Sequence, residues 1–135
     1  MRAQSSIEML VLFSAMIIIV LALLTSSDFV MRSVDSTSKQ SIARQSLDDL
    51  GMAATRVYMQ GFGATESLAI RLPDSIESAE LINDTIRFSL STTRQDAVQI
   101  LERQLAFNLT GELPSSAGMH VLIVRSEGKT VDFGS

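Results

Sequence analysis

Hydrophobic and polar positions fall into three regimes along this chain. From Met9 to Leu24 (MLVLFSAMIIIVLALL) sixteen consecutive residues carry no charge, and apolar side chains fill almost every position. Thr25, Ser26 and Ser27 extend the uncharged interval to nineteen before Asp28. At about 1.5 Å of rise per residue, a helix of that length spans roughly 28 Å, close to the ~30 Å hydrocarbon thickness of a bilayer. The run therefore predicts insertion into a membrane, at least transiently, because a soluble protein would have to be much larger to bury such a helix on every side. Past Asp28 the apolar residues thin to a single stripe: Ala43, Leu47, Leu50, Ala54 and Val57 recur at spacings of four, three, four and three. Neither Gly nor Pro occurs between Ser5 and Leu50, so nothing breaks a helix over that interval. The patterns predict one helix from about Ser6 to Tyr58, on the order of 80 Å long if continuous. Its front half is apolar all round, its back half has one apolar face, and Ser36–Ser41 is its weakest stretch.

The third regime has a period of two. Gly61 and Gly63 flank Phe62 and stop the helix, after which Leu68, Ile70 and Leu72 alternate with polar neighbours up to Pro73. Residues 76–82 and 85–90 flank Asn83-Asp84 and read as a hairpin. Two readings compete for the next stretch. One is a strand through Leu101, Leu105, Phe107 and Leu109 toward Pro114; the other is a short helix over 95–104 opened by a Thr93-x-x-Asp96 capping box. Alternation favours the strand near its end and leaves 94–100 open. Met119–Arg125 (MHVLIVR) is a strong strand, turned at Glu127-Gly128 into Lys129–Phe133. The fold class expected is α+β: a long N-terminal helix followed by a small antiparallel β-sheet or sandwich.

Composition narrows the function. The 135 residues have a net charge of -4 and no cysteine. Nucleic acid is not an expected partner, since phosphate binding needs clustered Lys and Arg. Disulfides and thiolate metal sites are excluded, and no cofactor is expected. His120 is the single histidine and reads as structural or surface, because a metal or catalytic site needs partners. Asp48-Asp49 reads as a solvated helix face, and Gly61-Phe62-Gly63 lacks the spacing of a dinucleotide loop. No nucleophile elbow is present, and no enzyme is expected. Two Asn-x-Thr triplets, Asn83-Asp84-Thr85 and Asn108-Leu109-Thr110, are candidates for N-glycosylation. Asn83, in the expected hairpin turn, is the better exposed candidate, and it equally suits a turn on conformational grounds alone.

One carboxylate stands at the mouth of the apolar run. Ser5-x-x-Glu8 has the spacing of a capping box, and a negative charge in the first helical turn favours the macrodipole by about 0.3–1 kcal/mol. The block Ala3-Gln4-Ser5-Ser6-Ile7-Glu8, leading straight into the apolar run, also resembles the class III signal peptide of archaeal type IV pilin-like proteins. That resemblance covers about residues 2–24 and implies cleavage by a prepilin peptidase between Ala3 and Gln4. It divides the chain into a leader (1–3), a long helix that is membrane anchor and then filament core (4–60), and a small β-rich head (61–135). Gln4 then becomes the mature N-terminus and Glu8 the fifth mature residue, where the family carries a glutamate. The implied partners are further copies of the chain in a helical filament, the pilus assembly machinery, and the membrane before assembly. The implied location is the cell surface and the implied role adhesion. Arg2, on the short side of the apolar run, agrees with a cytoplasmic N-terminus and an external head. An uncleaved single-pass membrane protein with an external partner-binding β domain is the alternative; an archaellum subunit and a membrane-tethered enzyme come after it.

Overall fold

The computed structural model describes residues 2–92 and 97–134, and their side chains apart from those of residues 2–5 and Phe29. One helix, α1, runs Arg2–Gln60. It begins four residues before the expected start, because Arg2, Ala3 and Gln4 are good helix formers and nothing among them interrupts the ladder. Ser5 therefore lies inside α1 and is not its N-cap, which corrects the capping-box reading of Ser5 and Glu8. At the other end the Gly61-Phe62-Gly63 turn closes α1, with φ of 93° at Gly61 and 84° at Gly63 and the Gly61 N–H donating to the Tyr58 carbonyl at 3.2 Å.

The chain forms two compact units, one up to Asp35 and one from Ser36 onward. The first contains only the front of α1. Between Ile7 and Leu24 its large apolar side chains are 45–71% exposed on every side of the helix. Three of its hydroxyls are satisfied internally. Ser14 donates to the Leu10 carbonyl at 2.8 Å, Ser26 to Ala22 at 2.8 Å, and Thr25 to Leu21 and Ala22 at 3.1 and 3.0 Å. Such back-bonding lets a hydroxyl sit on an apolar helix with no outside partner.

The second unit joins the rest of α1 to seven strands: β1 (Thr65–Leu72), β2 (Ile76–Ile82), β3 (Thr85–Ser91), β4 (Val98–Gln104), β5 (Asn108–Gly111), β6 (Gly118–Ser126) and β7 (Thr130–Gly134). They make a four-stranded sheet in the order β1-β6-β7-β5 and a three-stranded sheet in the order β2-β3-β4. The α+β class and the 76–82/85–90 hairpin agree with the sequence reading. The four-stranded sheet is mixed, however, because β5 pairs parallel to β7. The strand expected to run on from Leu101 to Leu109 is two strands in different sheets. Leu105 N–H donates to the Asp84 carbonyl at 2.8 Å, the chain crosses over, and Leu109 N–H reaches the Asn83 carbonyl at 2.6 Å. Inward parity is kept through the crossing, with Leu101, Phe107 and Leu109 all buried, so alternation could not reveal the break. The helix alternative over 95–104 is replaced by β4 from Val98; its cap, Thr93-x-x-Asp96, lies outside the described residues.

The core is one cluster in which the helical stripe meets the inner faces of both sheets. Ala43, Leu47, Leu50, Ala54 and Val57 are buried as the spacing predicts, and Ala53 and Ser46 join them. Ser46 donates to the Arg71 carbonyl of β1 at 2.5 Å, which satisfies the buried hydroxyl. Tyr58 stacks on Phe107 with ring centroids 4.3 Å apart. Arg103 of β4 lies across α1 at Gly51 and pairs with Asp48; a Cβ at Gly51 would stand 2.1 Å from the Arg103 Nε. The mid-helix glycine thus marks a close approach of strand and helix.

Two substitutions test this packing by chemical denaturation. Leu50→Ala removes a fully buried side chain and is expected to cost about 2–5 kcal/mol. Gly111→Ala meets backbone that cannot yield: φ is 98°, and the new Cβ would stand 2.0 Å from the Phe133 carbonyl oxygen. It is expected to destabilise by well over the ~1 kcal/mol scale of unstrained Gly→Ala changes and to open the β5–β7 pairing. An unchanged unfolding midpoint in either variant contradicts the arrangement.

Candidate assembly and modification sites

Apolar surface without cover dominates the front of α1. Its most apolar window has a mean hydropathy of 2.8, none of it is buried, and the helix is long and apolar enough to cross a membrane. Fourteen large apolar side chains lie between Ile7 and Leu24. At about 1.5–3 kcal/mol for each side chain moved from water to an apolar surrounding, their burial is worth roughly 20–40 kcal/mol. That exceeds the whole stability of a typical domain, about 5–15 kcal/mol, so this segment has to find lipid or protein. Glu8 lies on α1, exposed, just ahead of the uncharged run. Ala3 and Gln4 belong to the same helix, and their side chains lie outside the described residues.

The fold brings the two Asn-x-Thr triplets together. Asn83 occupies the β2–β3 turn with φ of 55°, a left-handed conformation that Asn tolerates. Asn108 opens the edge strand β5, and the Leu109–Asn83 backbone hydrogen bond places the triplets side by side. Both asparagines are exposed. Each threonine hydroxyl donates to a carboxylate: Thr85 to Asp84 at 3.1 Å and Thr110 to Asp132 at 3.0 Å. Asp84 also accepts from the Gln104 amide at 2.8 Å. These hydrogen bonds, the Gln104 one foremost, hold the Asp84 carboxyl below its ordinary value.

The remaining sequence candidates are plainly placed. His120 is half-buried in β6, its Nε2 2.8 Å from the Ser116 carbonyl oxygen. Asp48 is exposed on α1, as the solvated-face reading expects, and pairs there with Arg103 of β4. A parallel contact ties α1 to β1: Arg56 donates to Glu66 through Nε at 3.1 Å and Nη2 at 2.5 Å. This fork lowers the Glu66 carboxyl from its ordinary value and raises the Arg56 guanidinium. Among the described residues, no group of three or more His, Cys, Asp or Glu is placed to hold a metal ion.

One feature escapes the sequence pattern. Met119, Val121 and Ile123 of β6 point outward and are exposed, while Leu122 and Val124, on the opposite parity, are buried. MHVLIVR is apolar at nearly every position, so its pattern does not say which parity faces the core. The one available hint was across the ladder, where the outward positions of β1 are Ser67, Ala69 and Arg71. No known protein family matches this chain, and neither does any curated protein or solved structure.

Glu66 and Asp84 fix the sign of the acid response. Both are lowered on folding, so the stability they contribute is fully present above the unfolded values near 4 and is lost as pH falls through the folded values. The denaturation midpoint of the β-rich unit is expected to be flat from about pH 7 to 5 and to fall below about pH 4. Glu66→Gln with Asp84→Asn should make that acid limb shallower; an identical limb in the double variant refutes the assignment.

Proposed function

We propose that this protein is a structural subunit of an archaeal type IV pilus-like filament, made as a membrane-anchored precursor and displayed at the cell surface. One observation carries the reading: the front of α1 presents an apolar circumference that none of the described residues covers, while the same helix continues into the core of a small β-rich head. Lipid covers such a surface before assembly, and other copies of the same helix cover it afterwards. The internally satisfied Ser14, Thr25 and Ser26 suit both surroundings.

The block Ala3-Gln4-Ser5-Ser6-Ile7-Glu8 supports the same reading. Cleavage by a prepilin peptidase after Ala3 frees an α-amine on Gln4, with a reference pKa of about 7.7–8.0 and hence largely cationic near neutrality. Glu8 carried into a packed apolar centre needs a partner, since an unpaired buried charge costs several kcal/mol. The Gln4 amine of a neighbouring copy is the proposed partner, and the pair sets the axial register of the helices. The heads then face outward, carrying the exposed Asn83 and Asn108 as glycan acceptors, and adhesion is the proposed role of the filament surface.

Protein sheared from intact cells tests this directly. Its N-terminal sequence is expected to begin at Gln4, with added glycan mass on the Asn83 or Asn108 peptide. Retention of Met1 in a protein that stays with the membrane would instead establish the uncleaved single-pass alternative. Glu8→Ala is expected to leave cleavage intact while reducing filament yield at least tenfold; normal filaments from this variant sink the Gln4–Glu8 pairing.

A further inference from the structure

Where α1 ends, the chain builds a cleft against the turn between β6 and β7. Two backbone hydrogen bonds tie the Gly61-Phe62-Gly63 turn to the end of β6: Gly63 N–H donates to the Ser126 carbonyl at 2.9 Å, and Ser126 N–H to the Ala64 carbonyl at 2.8 Å. Glu127 N–H donates to the Thr130 carbonyl at 2.9 Å and closes the β6–β7 turn. The cleft has a volume of about 460 Å³ and is lined by Phe62, Gly63, Thr65, Arg125, Ser126 and Glu127. That volume lies within the ~300–1,000 Å³ usual for small-molecule sites. Phe62 is 84% exposed, and the turn has no need of an aromatic, since the glycines on either side supply its left-handed backbone. Its ring stands beside the β6–β7 turn, with Cδ2 3.7 Å from where a Cβ at Gly128 would lie.

The polar groups of the cleft narrow what can occupy it. Thr65, Arg125 and Glu127 are exposed, whereas Ser126 is buried and its hydroxyl accepts from the Gly128 N–H at 3.4 Å. Among the described residues, neither Arg125 nor Glu127 forms an ion pair within 4 Å. Glu127 lines the same cleft, and Asp132 stands cross-strand from Arg125, so the charges around the guanidinium do not favour an anion. A wholly apolar ligand would strip water from Arg125 and Glu127 and replace none of their hydrogen bonds. A neutral sugar ring satisfies both demands. The C–H bonds of one face lie flat on an aromatic ring, whose own face is electron-rich. Its neighbouring hydroxyls donate and accept at once, matching the forked donors of a guanidinium and the paired acceptors of a carboxylate.

We propose that this cleft binds a neutral hexopyranose, stacked on Phe62 and hydrogen-bonded by Arg125, Glu127 and Thr65. The proposal rests on the filament reading for its place at the cell surface, and it names the ligand class through which that surface adheres.

Full-length protein in detergent is tested by NMR saturation transfer from its aromatic protons to the methyl glycosides of glucose, galactose, mannose and N-acetylglucosamine. At least one glycoside is expected to take up saturation, concentrated on the C–H protons of one ring face. Phe62→Ala and Glu127→Ala should each lower that signal at least fivefold with an unchanged unfolding midpoint, since both side chains are exposed. The chain has no tryptophan, so Phe62→Trp keeps an aromatic face and adds a reporter. Its emission is expected to shift with the same glycoside. Transfer to none of the four glycosides overturns the site, and so does transfer undiminished in Phe62→Ala. Glucuronate displacing the glycoside at lower concentration than glucose does overturns the neutral class in favour of an anion held by Arg125. These measurements need no filament. Protein that is sheared off as filaments yet takes up no glycoside overturns the site alone, and protein that binds glycoside but never forms filaments overturns the reading beneath it.

Discussion

Everything in the second unit leans on the stripe that α1 lays against its two sheets. Neither sheet is wide, and a head of roughly 75 residues without disulfides has little core of its own. Ala43, Leu47, Leu50, Ala53, Ala54 and Val57 supply a third apolar wall to the cluster that includes Ile70, Phe88, Leu122 and Phe133. Three of those six are alanines, which lets the helix backbone come close to the strands. Ser46, Arg56 and Tyr58 then fasten particular points of the helix to β1 and to the β4–β5 crossing. The helix is part of the fold and not an appendage to it.

That dependence constrains the front of the chain. A helix anchored at one end in a packed core, with neither Gly nor Pro between Ser5 and Leu50, must carry its apolar front half in some defined surrounding, and the residues themselves limit what that is. Their roughly 20–40 kcal/mol of potential burial cannot be left in water. The back-bonded hydroxyls need nothing from outside, whereas the exposed carboxylate of Glu8 does. Lipid meets these conditions, and so does packing against like helices, as in the filament subunit proposed above.

Surface features follow a similar division of labour. The outer faces of the sheets are mostly polar, with paired charges such as Arg87–Glu102 at 2.6 Å, and exposed pairs of this kind contribute little stability. Against that background the Met119-Val121-Ile123 row is unusual. Single exposed apolar residues are ordinary on a protein surface, but three in succession on one strand face, with Arg71 opposite Met119 and the small Ser67, Ala69 and Gly134 opposite Ile123 and Val121, form a continuous apolar strip. The Asn83 and Asn108 triplets lie where the two sheets meet, on exposed turn and edge positions that leave the core contacts undisturbed.

Local chemistry and periodicity were enough to read much of this protein from its residues. The uncharged run, the four-three-four-three stripe, the Gly61–Gly63 stop and the Asn83-Asp84 hairpin each depend on near neighbours in the chain, and the structure places all four as read. Long-range pairing decided the rest. Leu101 to Leu109 keeps one inward parity through a change of sheet, so no spacing rule could register the crossing to β5 or its parallel pairing with β7. MHVLIVR could face either way until β1 paired beside it and the helix covered one side. The capping role of Ser5 failed because the residues ahead of it are helical too. Sequence by itself determined the long helix, the strands outside 94–109 and which part of the helix is apolar all round, since those are set by side chains a few residues apart. Only the tertiary structure decided which strand faces are buried, that the two Asn-x-Thr triplets adjoin, and that an apolar row is left uncovered, because each depends on backbone partners distant in the chain.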